Sequence, residues 1–118
     1  MWGYEREKRP EKVRGKPRVV SPPRTVTEAD IVNFVNLTGL FEPIFIDMEW
    51  VAKNTGFGNR FAPGSFVISV GAALGSLAMV DPPPEWNEAM KVEGVFGGFV
   101  GLKARLMKPV FHGDTLYT

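Results

Sequence analysis

The sequence predicts an α+β domain built around a long buried helix that calls for a sheet wrapped around it. Three observations predict this. From Pro63 to Val80 the chain carries no charged residue, and apolar or small side chains occupy every side, as in a helix enclosed by protein. Further on, Val100, Leu102, Ala104 and Leu106 alternate with Gly101, Lys103, Arg105 and Met107, the two-residue period of a strand. Ahead of both, "TVTEADIVNFVNLTG" reads as a capped amphipathic helix.

Taken in order, residues 1–17 read as a charged N-terminal arm and 18–118 as the folded domain. Residues 1–24 hold eight Lys or Arg against three Glu, while the remainder holds six basic and ten acidic residues. Such a tail attracts polyanions, nucleic acid or a phosphate-bearing ligand among them. The interleaved Glu5, Glu7 and Glu11 and the sparse aromatics favour a plain solvated arm instead. After Pro22-Pro23, the pairs Thr25 with Glu28 and Thr27 with Asp30 both have the spacing of a capping box, and the helix is expected to start near Thr27. Ile31, Phe34, Val35 and Leu37 are expected on its inner side, and Gly39 is placed to end it in a left-handed conformation. In "TGLFEPIFID", Pro43 is expected to stiffen an extended turn and Asp47 to cap a second, shorter helix. That helix turns Trp50 and Val51 inward and stops at Gly56. The long helix begins near Pro63 and stops at Asp81-Pro82-Pro83-Pro84, because proline cannot continue the hydrogen-bond ladder. Gly64, Gly71, Ala72, Ala73, Gly75 and Ser76 narrow its sides, so the backbone of another element can come close. "FHGDTLYT" makes a turn at Gly113-Asp114 and starts a last strand.

Composition excludes several function classes. At 118 residues with 44% hydrophobic and 23% charged residues, the chain has the size and balance of one globular domain. It contains no cysteine, hence neither disulfide nor thiolate chemistry, a pattern compatible with a reducing cytoplasm. The lone His112 and the scattered carboxylates lack metal-ligand spacing, so no metal or other cofactor is expected. No secretory signal and no uninterrupted apolar run long enough for a membrane span is visible. A cytoplasmic protein with neither nucleic-acid nor membrane partners is the expectation.

"RTVTEADIVNFVNLTG", "FGNRFAPG" and "KPVFHGDTL", in this order and spacing, resemble the MaoC-like dehydratases, the (R)-specific enoyl-CoA hydratase family of the hotdog fold. The resemblance covers residues 18–118. It implies a hotdog-like fold, in which a long central helix is wrapped by an antiparallel sheet, here short at its C-terminal end, with an acyl-CoA or acyl-carrier thioester as ligand and a homo- or hetero-oligomer with another hotdog subunit. It also implies a lyase chemistry, the hydration or dehydration of enoyl and 3-hydroxyacyl thioesters. Further strands follow "GDTL" in that family, and here one unfinished strand remains. Either a partner chain supplies the wrapping or this is a fragment of a longer product.

The family's loop reads G-D-x-N-P-x-H-x-D, and its Asp and His move protons to and from water and substrate. Here Leu40 stands at the Asp position, Glu42 at the Asn position and Phe45 at the His position. Asp47 keeps the final Asp, where helix capping explains it. No catalytic residue is therefore expected, with Glu42 and Asp47 as weak candidates and His112 as a weaker one. The resemblance places an oxyanion site at the start of the long helix, where the Gly64 and Ser65 amides would polarise a thioester carbonyl. The plain alternative is that Pro63 and Gly64 only begin a helix; many family members carry His at the Pro63 position. Phe45 and Phe66 are expected to border the acyl channel. The expected role is a non-catalytic or acyl-binding subunit paired with a dyad-bearing one. The alternatives are a hotdog acyl-CoA thioesterase using Glu42 or Asp47, and a non-enzymatic acyl-binding or interaction module.

Overall fold

The computed structural model describes residues 12–13, 16–17, 19–78, 84 and 102–118. Its elements in chain order are β1 (Lys12–Val13), β2 (Lys16–Pro17), β3 (Arg24–Thr25), α1 (Glu28–Thr38), α2 (Pro43–Ile46), α3 (Met48–Asn54), α4 (Gly64–Ala78) and β4 (Thr115–Leu116). The architecture is mixed helix and small antiparallel sheet. β1 pairs with β2 inside the segment expected as an arm. β3 pairs with β4, with Arg24 opposite Leu116 and Thr25 opposite Thr115.

The C-terminal segment is the hub of the sheet. Ser21 donates its amide to the Thr118 carbonyl, and Val26 and Gly113 bind Asp114 and Val26 in the same antiparallel sense. On the other side, Ala62 donates to Val110 and His112 to Arg60, around a bridge between Phe61 and Phe111. Residues 110–118 thus join 21–26 to 60–62, two stretches distant in sequence. The turn between them is closed by Asp114, whose carboxylate accepts the Phe111 amide at 2.9 Å, and by Gly113 at φ 95°, a conformation that glycine adopts without strain.

α1 follows its sequence signals. Thr27 is the N-cap, with its hydroxyl accepting the Asp30 amide and the Asp30 carboxylate accepting the Thr27 amide. Thr25, the other possible cap, is spent in β3, where its hydroxyl meets that of Thr115 at 2.8 Å. Burial would raise the Asp30 pKa, but hydrogen bonds from Thr27 and the neighbouring Arg24 outweigh it and hold the carboxyl below its ordinary 3.8. Gly39 ends the helix at φ 74°. Ile31 and Val35 are fully buried and Phe34 packs beside them. Leu37, expected inward, is instead 84% exposed. Six residues beyond Ile31, it lies off the i, i+3, i+4, i+7 stripe that faces the core.

Three further expectations are corrected. Pro43 begins a one-turn helix rather than an extended turn, because its fixed φ suits the first helical position. α3 keeps Asp47 as N-cap, with the carboxylate accepting the Trp50 amide at 3.0 Å, but only Val51 is buried and Trp50 is 37% exposed. It ends at Thr55 rather than Gly56. The Thr55 amide and hydroxyl both donate to the Val51 carbonyl, and Thr55 is extended at φ −132°, so no left-handed glycine is needed.

α4 starts where expected and packs Phe66, Val70 and Leu74 against the core. A side chain, rather than the expected backbone, approaches its glycines. The Thr118 hydroxyl donates to the Gly71 carbonyl, and its methyl lies 3.5 Å from where a Cβ on Gly75 would stand. The helix is not enclosed, however: Ser65, Ser69, Ala72, Ala73, Ser76 and Leu77 are exposed. The reason is coverage. The strand expected over 100–107 does not form across its described part, 102–107, where every residue is exposed. A strand exists only by hydrogen bonding to a neighbour, and among the described residues none pairs with this segment. The proline stop after α4, apart from Pro84, lies outside the described residues, as do Val100 and Gly101.

Candidate functional site

A cavity of about 400 Å³ opens at the N-terminus of α4, within the size range of small-molecule sites. One wall is Phe57, Phe61 and Ala62, leading into the helix. Gly64 and Val67 of α4 and residues 106–110 complete the lining. The local sequence explains the arrangement. Pro63, fully buried, sets the first turn, and the short pairing of 60–62 with 110–112 holds these two stretches side by side.

The aromatic wall is stacked. Phe57 lies nearly parallel to Phe61 at 5.6 Å, Phe61 lies parallel to Phe45 at 5.8 Å, and Phe111 meets both Phe57 and Phe61 edge-on. Such arrangements are favoured by ring quadrupoles beyond area burial. Lys108 is the one charged side chain among the described lining residues.

The loop at 40–47 turns Leu40 and Phe45 inward and leaves Glu42 exposed. Leu40 packs against the core, and Phe45 is buried behind Phe61. Beneath them runs Arg60, only 6% exposed. It donates to the Phe45 carbonyl at 2.6 Å and to the Glu28 carboxylate at 2.8 Å. A buried guanidinium has to be paired, and this one ties the loop to α1.

Of the residues singled out from sequence, Gly64 lines the cavity. Phe45, expected at the channel border, is not in the lining; its ring stacks on Phe61, which is. Ser65 is exposed, its carbonyl accepting the Ser69 hydroxyl. Phe66 faces the core, edge-on to Phe34. Glu42 is exposed at the N-cap position of α2 without a side-chain cap bond. Asp47 is exposed and serves as the α3 cap. His112 is exposed, with its backbone held by Arg60 and Asn59.

Sequence reasoning did not single out Phe57, Phe61, Leu106, Lys108 or Arg60. A signal existed for Arg60, the one cation in "FGNRFAPG". None existed for Leu106, which read as a strand residue. Among the described residues no group of three or more His, Cys, Asp or Glu could hold a metal, and no helix is long and apolar enough to cross a membrane.

Chemically, the cavity is an open apolar groove beside the first-turn amides of α4, which have no partners within the helix. Its described lining has neither carboxylate nor imidazole. The model of the MaoC like domain matches residues 10–118. The chain belongs to the MaoC-like family. It is 33% identical over 107 residues to Protein MaoC of Klebsiella aerogenes, in an alignment covering 90% of this chain and 28% of that protein. It is also similar to the X-ray structure of the monoamine oxidase regulatory protein from Archaeoglobus fulgius. That match has a TM-score of 0.64 and 37% identity, and covers 82% of this chain and 58% of that one. The MaoC-like chain thus spans less than two thirds of the length of either relative.

Proposed function

We propose that this MaoC-like domain is hotdog-like and binds an acyl thioester of coenzyme A or an acyl carrier protein in the cavity at α4. It leaves acid–base chemistry to a second, dyad-bearing hotdog subunit. In this reading residues 18–118 form the acyl-binding unit, 1–17 are a solvated arm, and the protein works in the cytoplasm. One observation carries it: Leu40 and Phe45, which the sequence resemblance sets at the positions of the family's proton-transferring pair, both pack into apolar surroundings. Neither can exchange a proton, so binding can persist where hydration does not. The amides of Gly64 and Ser65 would polarise the thioester carbonyl without a titrating side chain.

The thioesterase reading has less support, because Asp47 is engaged as a helix cap and Glu42 projects into solvent. Pairing with another subunit is favoured by the exposed face of α4, since apolar surface of this kind tends to be covered. The test is hydration of a crotonyl-type thioester by the isolated chain. Hydration should stay at background, since loss of general acid–base help alone costs about a hundredfold or more. Leu40→Asp with Phe45→His should recover measurable turnover. Stereospecific hydration by the unaltered chain would overturn the reading, and so would the absence of analogue binding in calorimetry.

A further inference from the structure

The segment 102–109 is exposed along its length, yet one of its side chains reaches the start of α4. A Cβ built on Gly64 would stand 2.5 Å from the Cδ1 of Leu106, well inside van der Waals contact. Leu106 therefore occupies space that any residue but glycine at position 64 would claim. Both residues also line the cavity. Leu106 itself is 50% exposed, and its segment is anchored just beyond, where the buried Val110 accepts the Ala62 amide at 2.7 Å. The side chain is thus free to change rotamer while its backbone stays tethered.

We propose that Leu106 is the specificity-determining residue of the cavity, acting as a movable plug over the first turn of α4 that sets the size of the apolar group admitted. The nature of the occupant rests on the acyl-thioester reading above; the plug rests on the Gly64–Leu106 contact. The absence of a side chain at position 64 is what lets the plug sit down against the helix. Adding a methyl group there pushes Leu106 into the chamber, and removing the Leu106 side chain deepens it.

Four proteins test this: the unaltered chain, Leu106→Ala, Gly64→Ala and the double variant. The probes are S-butyl and S-octyl thioethers of coenzyme A, measured by calorimetry. Leu106→Ala should shift the octyl-to-butyl affinity ratio at least threefold toward octyl. Gly64→Ala should weaken both at least threefold, and the double variant should recover that loss. An unchanged ratio in Leu106→Ala, or no recovery in the double variant, would overturn the plug. If neither thioether binds any of the four, the acyl-thioester reading fails and the plug is decided by benzene, followed through the Val67 methyl resonances. Benzene shifts should then grow in Leu106→Ala and shrink in Gly64→Ala, and equal shifts in all four proteins would overturn the proposal.

Discussion

Beside α1, the buried Arg60 guanidinium meets the Phe45 carbonyl and the Glu28 carboxylate, and the Thr27–Asp30 box closes the helix start. On α4, by contrast, Ala72, Ala73 and Leu77 lie exposed, and the segment 102–107 forms no strand. The first region is closed by bonds that this chain makes with itself. The second is a face of alanines and serines with Leu77 that the described residues leave exposed. Polar groups inside a fold require specific partners, so the first region has a defined answer within one chain. Apolar surface requires only to be covered, and many partners can do that.

Matched side-chain deletions on the two faces should break this comparison most sharply. Ile31→Ala, in the closed region, should cost about 3 kcal/mol in urea denaturation, as removal of a fully buried aliphatic side chain commonly does. Leu77→Ala, which is 55% exposed, should cost less than about 0.5 kcal/mol in the monomeric chain. Equal losses would mean that α4 is covered in solution as α1 is.

Arg60→Met should cost about 2 kcal/mol, because the Phe45 carbonyl loses a charge-assisted donor in the interior. Its partner tells the two kinds of contact apart. The Glu28 side chain is 58% exposed, so Glu28→Gln should cost well under about 1 kcal/mol, as exposed ion pairs do. If both cost the same, the ion pair rather than the carbonyl bond is what secures the loop.

Asp30→Asn should cost about 1 kcal/mol at neutral pH, within the range for losing an N-terminal cap interaction. Since folding lowers the Asp30 pKa, the carboxylate contributes fully above the unfolded value, and the contribution is lost as pH falls through the folded value. The gap between variant and parent should therefore close on acidification below the ordinary carboxylate range, measured by thermal denaturation across pH. A gap independent of pH would show that charge is not what Asp30 supplies.

Asp47→Ala should cost roughly 0.5–1 kcal/mol through loss of the α3 cap and leave thioether affinity unchanged. A fall in affinity larger than the stability loss explains would return Asp47 to the site.

Local chemistry was legible in the residues themselves. The Thr27 and Asp47 caps, the left-handed Gly39, the turn at Gly113 and the start of α4 after Pro63 each depend on neighbours within a few positions. The small residues of α4 left room for a close neighbour, but what comes close is the side chain of Thr118 rather than another backbone. Tertiary structure alone decided that Leu37 faces solvent, that 102–107 stays unpaired and that Arg60 lies beneath the altered loop. It alone set Leu106 against Gly64, forty-two positions apart in sequence. The physical reason is the range of the forces that choose. Caps and turns satisfy backbone groups a few bonds away, whereas strand pairing, burial of a guanidinium and the filling of a cavity depend on which distant segments arrive together.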